Sequence, residues 1–268
     1  MESRQVKSFS YTQLAMLQKC GVQYEFRYVK GIKAPPGIAL IRGRGVDEAT
    51  RLNLSQKVKS RQEAPEDVVA DAAAQAVDEG FAGELALTEE EQTVGTDKLK
   101  GRTKDTAVGL ALLHRAKVSP TFQPVAVQKK ITLTPNPKAL SKSLVGYLDV
   151  EDEAGAVRDT KSSKRTPGGD AAEKSDQLTM YALLTKAQKG TLPSAVILDT
   201  LIETEAGNRS IDTKRSVRTD ADLDRLVLRL QAAEKSIQAG LFLPTNPESW
   251  WCSRNWCGYY RMCPFVKQ

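Results

Sequence analysis

Apolar residues recur along this chain in two rhythms, and the change falls near Pro120. Before it the spacing is that of helices. Leu14 and Leu17, with Met16 between them, follow a Ser10 or Thr12 cap and predict a helix ending at Cys20-Gly21, with Gly21 as its left-handed stop. Tyr24, Phe26 and Tyr28 make an aromatic patch, and Pro35-Pro36-Gly37 breaks the chain. Gly43-Arg44-Gly45 precedes Val46-Asp47-Glu48-Ala49, from which a second helix is expected to run on through Leu52, Leu54 and Val58. A third starts at Pro65-Glu66, where proline and acid favour a helix N-terminus, and stops near Gly80. Glu89 to Glu91 reads as an acidic helix start or loop, Lys98 to Arg102 as a basic loop, and Thr106 to Ala116 as another helix. After Pro120 the pattern shifts to β-branched runs. Val125 to Leu133 is a strand ended by Pro135-Asn136-Pro137, and Leu144 to Val150 and Ala156 to Lys161 are strands flanking an acidic turn. Thr166 to Asp170 is a loop, followed by a helix through Asp176 to Leu184. Ala195 to Ile202 is a buried-type strand with which Ser210 to Thr213 can pair. Leu223, Leu226, Leu230, Ala233 and Ile237 mark a long amphipathic helix from Asp220 to Ala239, ended by Gly240.

The sum predicts an α/β fold, organised as one domain over 1–268. Residues 1–120 are mostly helical, 121–215 hold a sheet core, and 216–268 supply the long helix and a cysteine-bearing tail. A chain of 268 residues can bury a core of that size. No apolar run reaches the ~18 residues needed to cross a bilayer, so no membrane association is expected. No apolar signal-peptide core follows Met1 to Gln5, which makes a cytoplasmic location the expectation. The net charge of +6 suits a polyanionic partner. The single histidine, His114, excludes mechanisms that need two and reads as a helix-surface residue.

Chemistry concentrates between Gly146 and Lys164. Residues two apart in a strand share a face, so Asp159 and Lys161 project together, and Asp149 on the partner strand can complete a carboxylate pair. Two carboxylates beside a lysine can hold a hard divalent cation and offset charge on an attacked phosphate. Spacing alone leaves a second reading open, a surface hairpin with solvated charges. Gln177 and Tyr181, four apart, share one face of the following helix. The basic run Lys161, Lys164 and Arg165 could follow a phosphate backbone. Of the four cysteines, Cys20 stands alone, while Cys252, Cys257 and Cys263 crowd the tail, a grouping that suits a metal or cluster.

In this order the motifs resemble the PD-(D/E)XK nuclease superfamily, and in particular RecB-like exonucleases of the phage-encoded and CRISPR-associated single-domain kind. The resemblance rests on Ser8-Phe9-Ser10-Tyr11-Thr12-Gln13-Leu14 through Cys20, on Gly146-Tyr147-Leu148-Asp149 for G-x-x-D, and on Asp159-Thr160-Lys161 for (D/E)-x-K. Gln177-Leu178-Thr179-Met180-Tyr181 matches Q-x-x-x-Y, and the cysteine tail completes the set. Two departures stand out. Asp47 (or Glu48, one residue on) occupies the position of a usual metal-binding histidine. The tail spacing is C-x4-C-x5-C, where relatives carry C-x2-C-x5-C.

The resemblance implies a restriction-endonuclease-like core with a mixed sheet flanked by helices. It implies a metal-dependent DNA exonuclease acting on single strands or duplex ends, in recombination, repair or phage DNA metabolism, possible partners being recombination or replication proteins. Asp149, Asp159 and Lys161 would be catalytic. Asp47, Asp149, Asp159 and Thr160, the last through its carbonyl, would hold Mg²⁺ or Mn²⁺. Gln177, Tyr181, Lys164 and Arg165 would meet DNA. Cys20, Cys252, Cys257 and Cys263 would hold a [4Fe–4S] cluster, with Zn²⁺ as the alternative. A catalytically silent DNA-binding protein that keeps the fold is the competing expectation, favoured by Asp47 in place of histidine.

Overall fold

A computed structural model describes residues 8–136 and 140–266. The expectation drawn from Met1 to Gln5 and the Pro137 end of the strand terminator lie outside the described residues. Among the described residues the sheet has six strands: β1 (Ser8–Phe9), β2 (Pro124–Leu133), β3 (Ser143–Asp152), β4 (Val157–Ser163), β5 (Val196–Glu203) and β6 (Arg209–Ser216). β2 pairs antiparallel with β3 along one edge. On the other edge β1 lies parallel to Ser143 and Leu144, and β4 runs antiparallel at Val150 and Glu151. β4 and β5 are parallel, β5 and β6 antiparallel, so the sheet is mixed as expected.

The helices are α1 (Tyr11–Lys19), α2 (Gly21–Tyr24), α3 (Ile38–Ser60), α4 (Glu66–Phe81), α5 (Glu89–Val94), α6 (Thr96–Leu113), α7 (Asp176–Lys189) and α8 (Asp220–Gln238). They cover both sheet faces, which buries β5 on both sides and, in the polar β4, buries Val157, Arg158 and Asp159. On one face α1, α7 and α8 bury Leu14, Leu178, Leu184, Leu226 and Leu230 against Leu148, Val157 and Val196. On the other, α3, α4 and α6 pack Ile41, Val46, Ala73, Val77 and Leu110 onto Leu201. Small residues let these three helices approach closely. A Cβ added at Gly45 of α3 would stand 2.9 Å from Val77 and 3.0 Å from Ala107.

Three local expectations are corrected. Gly21 is not a left-handed stop; α1 ends on the extended Cys20, and Gly21 opens α2. Its missing side chain serves a long-range approach, because a Cβ there would lie 2.7 Å from the Leu243 amide nitrogen, and the Gly21 amide donates to the Leu243 carbonyl at 2.8 Å. Lys98 to Arg102 is helix, part of α6. Leu99 and Thr103 are buried one turn apart, and Lys100 and Lys104 reach Asp78 of α4 at 2.6 and 2.7 Å. His114 is buried, not on a helix surface: it opens a π-helical turn (His114–Val118) continuing α6, and burial lowers its pKa to about 4. It is therefore neutral near pH 7.

Residues 241–266 form a tail that folds back on the N-terminal helices. Tyr259 stacks on Phe26 at 5.5 Å, and its hydroxyl donates to the Ile32 carbonyl at 3.0 Å.

Candidate active site

The β3–β4 register sets the site. Val150 pairs with Arg158, so one step further along the ladder Asp149 comes opposite Asp159. The two-residue period then sorts β4 by face. Arg158 turns to one side, where Asp199 accepts from it at 2.9 and 3.1 Å and the Phe122 ring lies 4.2 Å away. Asp159 and Lys161 take the other side, under α7. Ser175 caps α7 by accepting from the Leu178 amide at 3.2 Å, and one turn of the helix brings Gln177 and Tyr181 over the carboxylates. Gly146 gives the reason for a glycine in the G-x-x-D segment: a Cβ there would stand 2.4 Å from Cδ1 of Leu184, which is fully buried on α7.

These side chains form one continuous hydrogen-bonded chain. Lys161 Nζ donates to Asp159 Oδ1 at 2.8 Å, and Gln177 Nε2 donates to that same oxygen at 2.8 Å. Gln177 Nε2 also donates to the Tyr181 hydroxyl at 2.8 Å, which donates to Asp149 Oδ1 at 3.3 Å. Gln128 Nε2 then lies 3.5 Å from Asp149 Oδ1 and 3.3 Å from Asp47 Oδ1, linking β2, β3 and α3. Beside this chain opens a cavity of about 390 Å³, lined among others by Arg44, Asp47, Gln128, Asp149, Thr160 and Lys161.

The electrostatics follow from crowding like charges. Burial, then the neighbouring Asp159 carboxylate, push the Asp149 pKa up to about 7; Lys161 and the Thr160 backbone amide oppose this. The cleft walls, and then Asp149, push Asp47 up to about 6, although the Asp47 tip meets solvent. Enclosure works against the Lys161 charge, but Asp159 and Asp149 more than offset it and raise its pKa above the ordinary value. Lys161 is thus a firmly protonated cation whose side chain is still 48% exposed to the cleft. Burial, with both aspartates behind it, raises the Tyr181 pKa, so this hydroxyl stays a donor.

The structure brings together Asp47, Asp149, Asp159, Thr160, Lys161, Gln177 and Tyr181. Asp47 faces the cavity, while Glu48 is turned to Arg51. Asp159 is buried and does not line the cavity; its Oδ1 accepts from both Lys161 and Gln177. Lys164 and Arg165 stand apart on the loop after β4, exposed, with Lys164 3.8 Å from Glu205. Two residues were not singled out from sequence. Tyr11, at the start of α1, lies near enough to Lys161 and Asp159 for both charges to act on its hydroxyl. Gln128 has φ of 48°, a left-handed conformation rare for a residue with a side chain. A polar residue mid-strand was its only visible signal.

Among the described residues, no group of three or more His, Cys, Asp or Glu side chains is arranged to hold a metal ion. The cavity does carry chemistry that fits one. Asp47 and Asp149 converge on it as oxygen donors that repel each other, and a hard divalent cation relieves such repulsion. At the far end of α1, Cys20, Cys252, Cys257 and Cys263 line a second cavity with Gln23, whose Nε2 donates to Cys257 Sγ at 3.2 Å.

A sequence model of the PD-(D/E)XK nuclease superfamily matches residues 8–264. The chain belongs to the PD-(D/E)XK nuclease superfamily. Among solved structures, a protein from Eubacterium rectale described as a "putative exonuclease" is similar to this nuclease with a TM-score of 0.52 at 13% identity. The match covers 98% of this chain and 90% of that one, and it is a likeness of fold. The structure of SSO0001 matches with a TM-score of 0.44 at 15% identity, over 97% of this chain and 87% of that one. No curated protein sequence matches the chain. Among the described residues of this superfamily member, no helix is long and apolar enough to cross a membrane.

Proposed function

We propose that this superfamily member is a metal-dependent deoxyribonuclease, an exonuclease acting on single strands or duplex ends in recombination, repair or phage DNA metabolism. The observation that carries this reading is the unbroken hydrogen-bonded chain from Lys161 through Asp159, Gln177, Tyr181, Asp149 and Gln128 to Asp47 at the mouth of one cavity. Asp149 and Asp47, with the Thr160 carbonyl and Asp159 behind them, would hold Mg²⁺ or Mn²⁺, which when bound would lower the pKa of water and neutralise phosphate charge. Lys161, held protonated beside Asp159, offsets charge on the attacked phosphate and orients water; its raised pKa argues against a role as the base. Gln177 fixes the Asp159 carboxylate, and Tyr181 holds Asp149 through a donor that does not ionise near neutral pH. Lys164 and Arg165, exposed outside the cavity, would meet the DNA backbone beyond the reacting phosphate.

We further propose one nuclease domain over 1–268, in the cytoplasm, clasped at its ends by the four cysteines. All four line one cavity, and thiolates suit Fe–S clusters and Zn²⁺ alike; the family resemblance of the cysteine tail favours [4Fe–4S]. Incubation of 5′- and 3′-end-labelled single-stranded and duplex DNA with the protein, in Mg²⁺, Mn²⁺ or EDTA, tests the reading. Mononucleotide or short-oligonucleotide release in metal, and none in EDTA, is the expected result. Binding without cleavage would instead identify a silent DNA-binding protein on the same fold.

A further inference from the structure

The tail carries a feature that the catalytic reading leaves unused. Trp250 and Trp256 are 65% and 59% exposed, although tryptophan is the side chain with most to gain from burial. They are not loose. Trp250 meets Trp256 edge-on, with centroids 5.3 Å apart and planes at 87°, and meets Trp251 in the same way at 5.6 Å and 82°. Trp251 is the anchor: its indole N–H donates to Thr245 Oγ1 at 3.2 Å, and the Lys19 ammonium lies 5.9 Å from its ring centroid. The result is two large aromatic surfaces held at right angles and open to solvent. One cation, Lys19, stands against the adjoining Trp251 ring. Between residues 241 and 266 the charged side chains are Glu248, Arg254 and Arg261, and Arg254 is exposed two residues before Trp256.

Helix α1 ties this surface to the active site. Its first residue, Tyr11, packs into the core beside α7, which carries Gln177 and Tyr181 over the carboxylates, and its last, Lys19, lies against Trp251. Nine residues make eight steps, about 12 Å at ~1.5 Å per residue. That length corresponds to three or four nucleotides at the ~3.4 Å spacing of stacked bases in one strand.

We propose that Trp250 and Trp256 are a stacking platform for the bases of a single-stranded nucleic acid, with Lys19 and Arg254 on its phosphates, a few nucleotides from the scissile bond. The distance to the scissile bond rests on the nuclease reading; the platform itself does not. Single strands are the favoured occupant because their base faces are free, whereas a duplex buries them. Exposed ring faces, with Lys19 against the adjoining ring and Arg254 nearby in sequence, suit bases joined by phosphates. Stacking of this kind tolerates any base.

The test is a binding measurement without cleavage, made on the full chain in EDTA at low salt, with the anisotropy of fluorescein-labelled dT12 as readout. Trp250→Ala and Trp256→Ala are expected to weaken binding by about tenfold or more each, and Trp250→Phe, which keeps a ring face, by much less. An abasic strand of equal length should bind the unaltered protein about as weakly as dT12 binds the alanine variants. Circular dichroism checks folding, and the phenylalanine variant keeps the question open if an alanine variant does not fold. Equal affinity of all variants for dT12, or equal affinity for the abasic strand, overturns the platform. So does a Trp256→Ala change in sedimentation coefficient with dT12 affinity intact, which would mark a protein interface. Because metal is absent throughout, failure of this test and failure to cleave DNA are separate results.

Discussion

Gly146→Ala offers a sharp test of how the fold positions the site. The added methyl would lie 2.4 Å from Cδ1 of Leu184, where carbon atoms at ease sit ~3.5–4.0 Å apart. Leu184 is fully buried, so its tip has no solvent to retreat into, and either the rotamer or α7 must move by more than an ångström. Overpacking of this kind costs about 1–3 kcal/mol. Leu184→Ala alone should cost about 2–5 kcal/mol through the cavity it leaves. In that background the methyl introduced at position 146 enters the vacated space, and its penalty should vanish, giving a coupling of about 1–3 kcal/mol between the two sites. Urea unfolding of the four proteins measures this directly, with m-values compared to confirm one transition. A Gly146→Ala cost below about 0.5 kcal/mol, or the same cost in both backgrounds, would refute the steric account. Because α7 also carries Gln177 and Tyr181, Gly146→Ala should reduce cleavage as well, and Leu184→Ala should partly restore it.

Other outcomes follow from the same geometry. At position 128 the left-handed backbone should invert the usual strand preference: Gln128→Gly should be about 1 kcal/mol more stable than Gln128→Ala by urea unfolding, and the reverse order would exclude that conformation. His114, neutral and buried with its pKa lowered to about 4, gains a proton far more readily in the unfolded chain, where ~6.5 applies. Its effect on stability is therefore full above about pH 6.5 and is lost as pH falls toward 4. The stability difference between the unaltered protein and His114→Leu should accordingly shift against the unaltered protein by about 2–3 kcal/mol between pH 7.5 and 4.5, and a pH-independent difference would contradict the burial. Anaerobically purified protein should carry iron and sulfide at the cysteines, and replacing Cys257 by Ser should lower its thermal midpoint; bound zinc without iron would overturn the cluster.

What could be read from sequence was what local periodicity encodes. Asp159 and Lys161 share a face because strands alternate, and Gln177 and Tyr181 share one because helices turn in 3.6 residues. The long amphipathic α8 was legible for the same reason. The rest depended on partners distant in sequence. Gln128 meets Asp149 only through the β2–β3 register, and it reaches Asp47 only once α3 lies across the sheet. Gly21 looked like a helix stop because nothing local announces the Leu243 backbone against it. Lys98 to Arg102 looked like a loop by charge, yet lysine and arginine are good helix formers and Leu99 anchors the turn. The run around His114 carries no local sign of its burial, which comes from elements distant in sequence. Asp47 was legible only through a family resemblance. Its place on the cavity opposite Asp149 is what gives that substitution chemical sense.

The central claim is that Asp149, Asp159 and Lys161 catalyse metal-dependent phosphodiester hydrolysis. Its most direct test is the digestion rate of end-labelled single-stranded DNA in Mn²⁺ by the unaltered protein, Asp159→Asn and Lys161→Met, each first shown to be folded. The account predicts digestion that EDTA abolishes and that either substitution slows by about 10²–10³-fold or more. Digestion at an undiminished rate by both folded variants would contradict it.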